Sequence, residues 1–193
     1  MLYRILKPLS RFIFGLCFRV KIEGKENLPE GAYMLCSNHM SNWDPPIYLT
    51  FFKRKIHFLG KKELFENPFL RRIVTAFGMI PLKRGQADMA AIKTAISTLN
   101  SGEVLGIFPA GTRTKTVEAG QAKSGAALIG ARCGCKVVPV SIRSNYRLFS
   151  KIHIKIGQYI DLSEYKGQKL DNDQLQSIAD NIYSKIIELY EEA

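Results

Sequence analysis

His39 and Asp44 are five residues apart in the segment SNHMSNWDPP, residues 37–46. An imidazole titrates at about pH 6.5 in model peptides and can therefore accept a proton near neutrality. A carboxylate on its other nitrogen fixes the tautomer and stabilises the imidazolium, so the pair could deprotonate a hydroxyl. The alternative is a structural histidine, with Asp44 capping the helix that begins at the two following prolines.

Two arginines follow apolar segments that predict strands. Arg84 ends GMIPLKR, and Arg113 ends FPAGTR, where Gly111 and Thr112 precede it. Guanidinium groups at strand ends can hold a phosphate through two hydrogen bonds, and Lys123, at the start of the next helix, could add a third cation. The alternative is that both arginines are solvated or paired with carboxylates.

The elements that position these residues alternate between strand and helix, and several strands are apolar throughout. This pattern predicts an α/β fold with a mostly parallel sheet flanked by helices. In such sheets, sites lie in the loops beyond the carboxyl ends of strands, where His39 and Gly111 both fall. Predicted strands cover 20–24, 32–38, 55–62, 78–84, 136–144 and 151–160, and residues 103–113 predict a buried strand that opens into a loop. Predicted helices cover 45–52, 63–77, 87–102, 121–134 and 171–192.

The 193-residue chain carries a formal net charge of +11, and residues 1–85 hold 15 Lys/Arg against 6 Asp/Glu. This basic half predicts an anionic partner, such as nucleic acid, anionic lipid or a phosphorylated substrate or carrier. Nucleic acid is disfavoured because the cations are not interleaved with stacking aromatics in a recognisable motif. The four cysteines lack zinc spacing and are expected to be reduced thiols, and no metal site is predicted.

Residues 1–18 predict an amphipathic helix, and residues 19–193 a single α/β domain. Seven uncharged residues after Arg11 are too few to span a bilayer, and no signal-peptide cleavage site follows. Large apolar residues on one face, with Arg4, Lys7 and Arg11 opposite, favour a helix lying in an anionic membrane interface. The alternative is a helix that packs its apolar face on the protein's own core.

Four segments in order, NHMSNWDP, GMIPLKR, FPAGTRT and VVPVSI, resemble the four conserved blocks of the glycerolipid acyltransferases. The similarity covers about residues 18–160 and is nearest to the 1-acylglycerol-3-phosphate acyltransferases. It implies transfer of an acyl group from coenzyme A or acyl carrier protein to the sn-2 hydroxyl of lysophosphatidate, without cofactor, metal or acyl-enzyme. By this resemblance His39 is the base, Asp44 supports it, and Arg84 and Arg113 hold the acceptor's phosphate.

Ala110 departs from the family pattern, because the third block of the family carries a glutamate at this position. That carboxylate could hold an arginine in place or accept a hydrogen bond from the glycerol. Its loss predicts a low-activity variant, whether the alanine was introduced or is natural.

Other functions stay open. The acceptor could be glycerol 3-phosphate or another lysophospholipid, and a non-catalytic basic membrane-binding module is a third alternative. The enzyme is expected to lie peripherally or monotopically on the cytoplasmic face of a bacterial cell membrane.

Overall fold

The computed structural model describes residues 2–83 and 88–193, and within them eight strands form one sheet. Seven follow the order β1-β7-β6-β2-β5-β3-β4, and β8 pairs with β6. Only β7 and β8 run antiparallel to their neighbour β6, so the predicted mostly parallel sheet is confirmed. The strands are β1 Arg19–Glu23, β2 Tyr33–Ser37, β3 Ile56–Lys61, β4 Ile80–Leu82, β5 Val104–Ile107, β6 Lys136–Arg143, β7 Lys151–Ile156 and β8 Ile160–Asp161.

Helices cover both faces of the sheet, which explains why its central strands are apolar throughout. In β2, Met34 and Cys36 pack into a core built with α4, α5 and α6, while Tyr33 and Leu35 face a second core with α2. The α-helices are α1 Leu2–Cys17, α2 Asp44–Phe51, α3 Pro68–Ala76, α4 Met89–Asn100, α5 Gly125–Cys133 and α6 Asn172–Glu191.

Two predicted elements are interrupted. The helix predicted over 63–77 is a 3₁₀ turn, Lys62–Phe65, followed by α3. The Asn67 side chain accepts hydrogen bonds from the N–H groups of Phe69 and Leu70 and so begins a new helix, and Pro68 fits its first turn. The strand predicted over 151–160 is divided into β7 and β8 around Gly157.

The orientation of α1 differs from that of an ordinary surface helix. Its outward residues Ile5, Leu9, Phe12, Ile13 and Leu16 are between 47% and 67% exposed. We call these five residues the apolar outer face of α1. The side facing the protein is partly polar and includes Lys7, whose ammonium donates to the carbonyls of Phe52 at 2.7 Å and Lys53 at 3.0 Å. The apolar face is therefore not packed on the protein's own core.

Across residues 2–83 and 88–193, no helix is both long and apolar enough to cross a membrane. All four cysteines are free, as expected, and three of them are buried.

Gly106 in β5 allows the ring of Phe58 to lie against the sheet. A Cβ at this position would lie 2.4 Å from Phe58 Cε1. We expect Gly106→Ala to lower the free energy of unfolding by about 1–3 kcal/mol through overpacking, measured by urea denaturation. Gly125→Ala is the control, because a Cβ there meets nothing within 4 Å. Equal stability of the two variants would contradict this packing.

Candidate active site

The carboxyl ends of three adjacent parallel strands carry the loops of the site. β2 lies between β5 and β6 and is parallel to both, so the loops after Ser37, Ile107 and Arg143 leave the same edge of the sheet. The first is the His39 loop, residues 38–43, the second is the FPAGTR loop, residues 108–114, and the third is the β6–β7 loop, residues 144–150. This is the position predicted from the strand pattern for His39 and Gly111.

His39 and Asp44 are in direct contact. His39 Nδ1 lies 2.8 Å from Asp44 Oδ2, and the same oxygen accepts the backbone N–H groups of Met40 at 2.8 Å and Ser41 at 2.9 Å. The Tyr146 hydroxyl donates to the other oxygen, Oδ1. Asp44 is fully buried, and its carboxylate turns back toward the preceding loop. The N-cap of α2 is Trp43, so the alternative in which Asp44 caps this helix is wrong.

The imidazole of His39 is held by aromatic stacking as well as by the carboxylate. Its ring lies nearly parallel to that of Phe108 with centroids 4.0 Å apart, and Phe108 stacks on Phe58 at 5.2 Å. The backbone of the second loop adds a further link, because Thr114 N–H donates to the His39 carbonyl at 2.9 Å. The histidine is therefore fixed from two sides and is only 8% exposed.

Asn38 anchors the His39 loop to the end of β6. Its amide donates to the Ile142 carbonyl at 2.8 Å and its Oδ1 accepts the Ile142 N–H at 2.8 Å. All of these groups are buried, so each would be costly to leave unpaired. Ile142 belongs to the segment VVPVSI, and this contact explains how the fourth block supports the first.

The FPAGTR loop and Lys123 form a cationic rim beside the His39 loop. Gly111 has φ +69°, a left-handed conformation that favours glycine, and the Lys123 side chain passes over it. Lys123 N–H also donates to the Pro109 carbonyl at 3.0 Å. Thr112, Arg113 and Lys123 are exposed, whereas Ala110 is only 4% exposed.

Neither Arg113 nor Lys123 forms an ion pair with a carboxylate of residues 2–83 or 88–193. The predicted phosphate-binding residue Arg84 lies outside the described residues. The last described strand before it, β4, is separated from β2 by two strands, β5 and β3.

Burial keeps the Cys36 thiol and the Tyr146 hydroxyl protonated. It raises the pKa of the Cys36 thiol, which is fully enclosed in the strand before His39. Burial, together with the Asp44 charge, also raises the pKa of the Tyr146 hydroxyl. Since a protonated thiol in the core is neither reactive nor accessible, Cys36 is unsuited to forming an acyl-enzyme.

Two residues of this site were not predicted from the sequence. Phe108 resembles any apolar residue at the end of a buried strand, and only the fold places it on the His39 ring. Tyr146 lies in SNYRLFS, a segment without a recognised motif, and reaches Asp44 across 102 positions of the chain. No local signal could have indicated this contact.

A separate cleft of about 330 Å³ lies at the amino ends of the strands, where its lining includes Ala32, Asn100 and Lys136. It contains none of the predicted site residues. The reactive groups are thus at the opposite edge of the sheet, where His39 is enclosed by loops.

The fold and the site define a class of protein: an α/β enzyme in which a carboxylate-supported histidine lies beside a cationic loop. The chain matches the Acyltransferase family model over residues 19–143, and it belongs to that family.

Its relatives include a 1-acyl-sn-glycerol-3-phosphate acyltransferase of Bacillus subtilis (strain 168), which is 30% identical over 97% of this chain and 96% of the relative. A protein of the same name from Borreliella burgdorferi is 26% identical, over 92% of this chain and 75% of the relative. The crystal structure of the 1-acyl-sn-glycerophosphate acyltransferase PlsC from Thermotoga maritima has the same fold. It superposes with a TM-score of 0.71 at 22% identity, over 96% of this chain and 79% of that one.

The position of Ala110 yields a prediction about turnover. A glutamate there would place a carboxylate between Pro109 and Gly111, in the loop over which Lys123 passes. We expect Ala110→Glu to raise acyl-transfer kcat at least tenfold, equivalent to ~1.4 kcal/mol of barrier, in steady-state assays. Ala110→Gln has nearly the same size without the charge and is the control. An unchanged rate for Ala110→Glu would mean that this position is not part of the catalytic machinery.

Proposed function

We propose that this chain transfers a fatty acyl group from acyl-coenzyme A or acyl carrier protein to the sn-2 hydroxyl of lysophosphatidate, at a membrane surface. The observation that carries the proposal is the buried contact between His39 Nδ1 and Asp44 Oδ2. It lies beside Arg113 and Lys123, which form no ion pair with a carboxylate in the described part of the chain. Membership of the Acyltransferase family and the names of the two bacterial relatives support the reaction and the acceptor.

The hydrogen bonds of Asp44 indicate which nitrogen of His39 would act as the base. Oδ2 accepts two backbone N–H groups, so it faces His39 as a hydrogen-bond acceptor rather than as a hydroxyl donor. The proton of the neutral imidazole therefore lies on Nδ1, where it is donated to Asp44. Nε2 keeps its lone pair and can accept the proton of a substrate hydroxyl.

The proposed reaction is a direct attack. As the acceptor oxygen forms its bond to the thioester carbonyl carbon, its proton passes to His39 Nε2, and Asp44 stabilises the resulting imidazolium. The tetrahedral intermediate then collapses, the C–S bond breaks, and the departing sulfur takes the proton from His39. The products are phosphatidate and a free thiol, so the cycle needs neither a cofactor nor a covalent enzyme intermediate.

Arg113 and Lys123, with Arg84 from the second block, would hold the acceptor's phosphate. Guanidinium and ammonium groups without a carboxylate partner are available to an incoming dianion. Gly111 allows Lys123 to lie over the loop, because any side chain at that position would crowd the lysine. We therefore assign these residues to substrate binding rather than to bond making.

The outward orientation of the apolar face of α1 supports a membrane-bound enzyme. The apolar outer face of α1 is exposed, while the inner face is attached through Lys7 and through Ser10, whose hydroxyl accepts from Thr50 Oγ1 at 3.0 Å. Arg4 and Arg11 are also exposed and would face anionic headgroups. A helix with this distribution is suited to lying in an anionic interface.

The apolar surface continues toward the active site. Trp43, in the His39 loop, is 50% exposed. Its ring packs edge-on against that of Phe14 in α1, with the ring centroids 5.7 Å apart. In the β6–β7 loop, Leu148 and Phe149 are 64% and 65% exposed, and Phe149 N–H donates to the Cys17 carbonyl at the end of α1. This continuity would bring a membrane-embedded lysolipid to His39, and we propose a peripheral or monotopic location on the cytoplasmic face of a bacterial membrane.

A thiol-release assay with lysophosphatidate in micelles tests the proposed reaction. We expect His39→Ala to reduce kcat by about 10²–10⁴-fold, the usual contribution of a general base. His153→Ala is the control, because this histidine lies in β7 and pairs with Glu23. If His39→Ala retained the wild-type rate, the proposed mechanism would be wrong. Faster thiol release with glycerol 3-phosphate than with lysophosphatidate would instead reassign the acceptor.

The membrane proposal is tested separately by vesicle sedimentation. We expect the double variant Phe12→Ser, Ile13→Ser to bind vesicles of equal parts phosphatidylcholine and phosphatidylglycerol at least tenfold more weakly. The reason is that burying one large apolar side chain contributes about 1.5–3 kcal/mol. Met89→Ser removes a similarly exposed side chain from α4, which packs on the opposite face of the sheet, and should bind normally. Unchanged binding of the double variant would refute the interface assignment of α1.

A further inference from the structure

The β6–β7 loop lies just beyond the 19–143 segment that matches the family model. It nevertheless contributes a side chain that contacts Asp44, the partner of His39. The Tyr146 hydroxyl donates to Asp44 Oδ1. The Tyr146 ring packs edge-on against that of Phe18, with the ring centroids 6.4 Å apart. The hydroxyl is thus directed at the carboxylate, while the ring is held by packing at the end of α1.

The two oxygens of Asp44 have different partners. Oδ2 accepts from His39 Nδ1 and from two backbone N–H groups, whereas Tyr146 is the hydrogen-bond donor to Oδ1. A carboxylate held at only one oxygen can still twist about its Cβ–Cγ bond. A donor on Oδ1 restricts that rotation and keeps Oδ2 in line with the imidazole.

Tyr146 is suited to be a permanent donor. Burial and the adjacent Asp44 charge raise its pKa, so the phenol keeps its proton throughout the neutral range. Its backbone has φ +53°, a left-handed conformation uncommon for tyrosine, and Ser144 supports the turn by accepting the Tyr146 N–H at 3.1 Å. The hydroxyl of Ser144 in turn donates to the Lys151 carbonyl at 2.9 Å.

We infer that Tyr146 is a positioning residue for the acyl transfer, acting on His39 through Asp44. This inference rests on the proposed function for its kinetic consequences, but its structural consequence is independent of the substrate. Tyr146 also contributes a partial positive charge on the side of Asp44 remote from His39. Without it, the negative charge of Asp44 is less compensated and would stabilise an imidazolium at His39 more strongly.

The test is Tyr146→Phe, which removes the hydroxyl and keeps the ring that packs on Phe18. We expect kcat to fall about tenfold, equivalent to ~1.4 kcal/mol of barrier, because Asp44 would no longer be held in line with the imidazole. The KM for lysophosphatidate should change less than twofold. The acid limb of the kcat/KM profile should move to higher pH, a shift that a merely structural role would not produce.

Tyr48→Phe is the matched control. Tyr48 is a buried phenol close to the site, but its hydroxyl is 2.6 Å from Ser37 Oγ and makes no hydrogen bond to the carboxylate. Tyr48 is the other phenol near enough to interact electrostatically with Asp44. Its variant should lose stability in thermal melting, while the acid limb stays in place.

Titration of the His39 ring by NMR separates this inference from the proposed function, and it is practical because the chain has three histidines. In substrate-free protein, kept below the melting midpoint of each variant, the His39 resonances should titrate at higher pH in Tyr146→Phe than in wild type. If this shift occurs but wild-type protein acylates no acceptor, the positioning role stands and the proposed function fails. If wild-type protein is active but both the titration and kcat are unchanged in Tyr146→Phe, the positioning role is overturned.

Discussion

The site depends on one buried negative charge. Asp44 is fully enclosed, and removing a carboxylate from water costs several kcal/mol unless other groups replace the lost hydration. His39, Tyr146 and the amides of Met40 and Ser41 supply that replacement, each from a different direction. The charge therefore fixes the His39 loop, the start of α2 and the β6–β7 loop relative to one another. The imidazole is held in place because the buried carboxylate requires hydrogen-bond donors, and His39 is one of them.

The sheet makes this arrangement possible because three adjacent parallel strands end at the same edge. Loops far apart in sequence meet there without long excursions, as the contact between Asn38 and Ile142 illustrates. The same topology separates the two cores, so that α4, α5 and α6 stabilise one face while α1 and α2 occupy the other. The edge of the sheet that carries His39 thus lies beside α1, whose apolar outer face is exposed.

Much of the fold could be predicted from the sequence, because apolar strands and periodic helices are local patterns. The mostly parallel sheet and the position of His39 at a strand end both followed from them. The break at Asn67 was not predicted, since apolar periodicity continues across a side chain that caps a new helix. The direction in which α1 faces could not be settled either, because an amphipathic pattern is compatible with burial on the protein or in a membrane. Tyr146 was missed for a different reason: its role comes from a long-range contact, and its neighbours in sequence do not share it.

The balance of charge at the site suggests why a carboxylate at position 110 would matter. The Asp44 carboxylate is engaged by donors of the His39 loop and the β6–β7 loop rather than by Arg113 or Lys123. Arg113 and Lys123 are left without a carboxylate partner among the described residues, and Ala110 supplies none. Unpaired cations favour the binding of a dianionic acceptor but do not fix its orientation, because exposed side chains sample many rotamers. A carboxylate at position 110 would restrict the rotamers of these cations. Without that carboxylate, we expect turnover to be reduced more than the affinity for the acceptor.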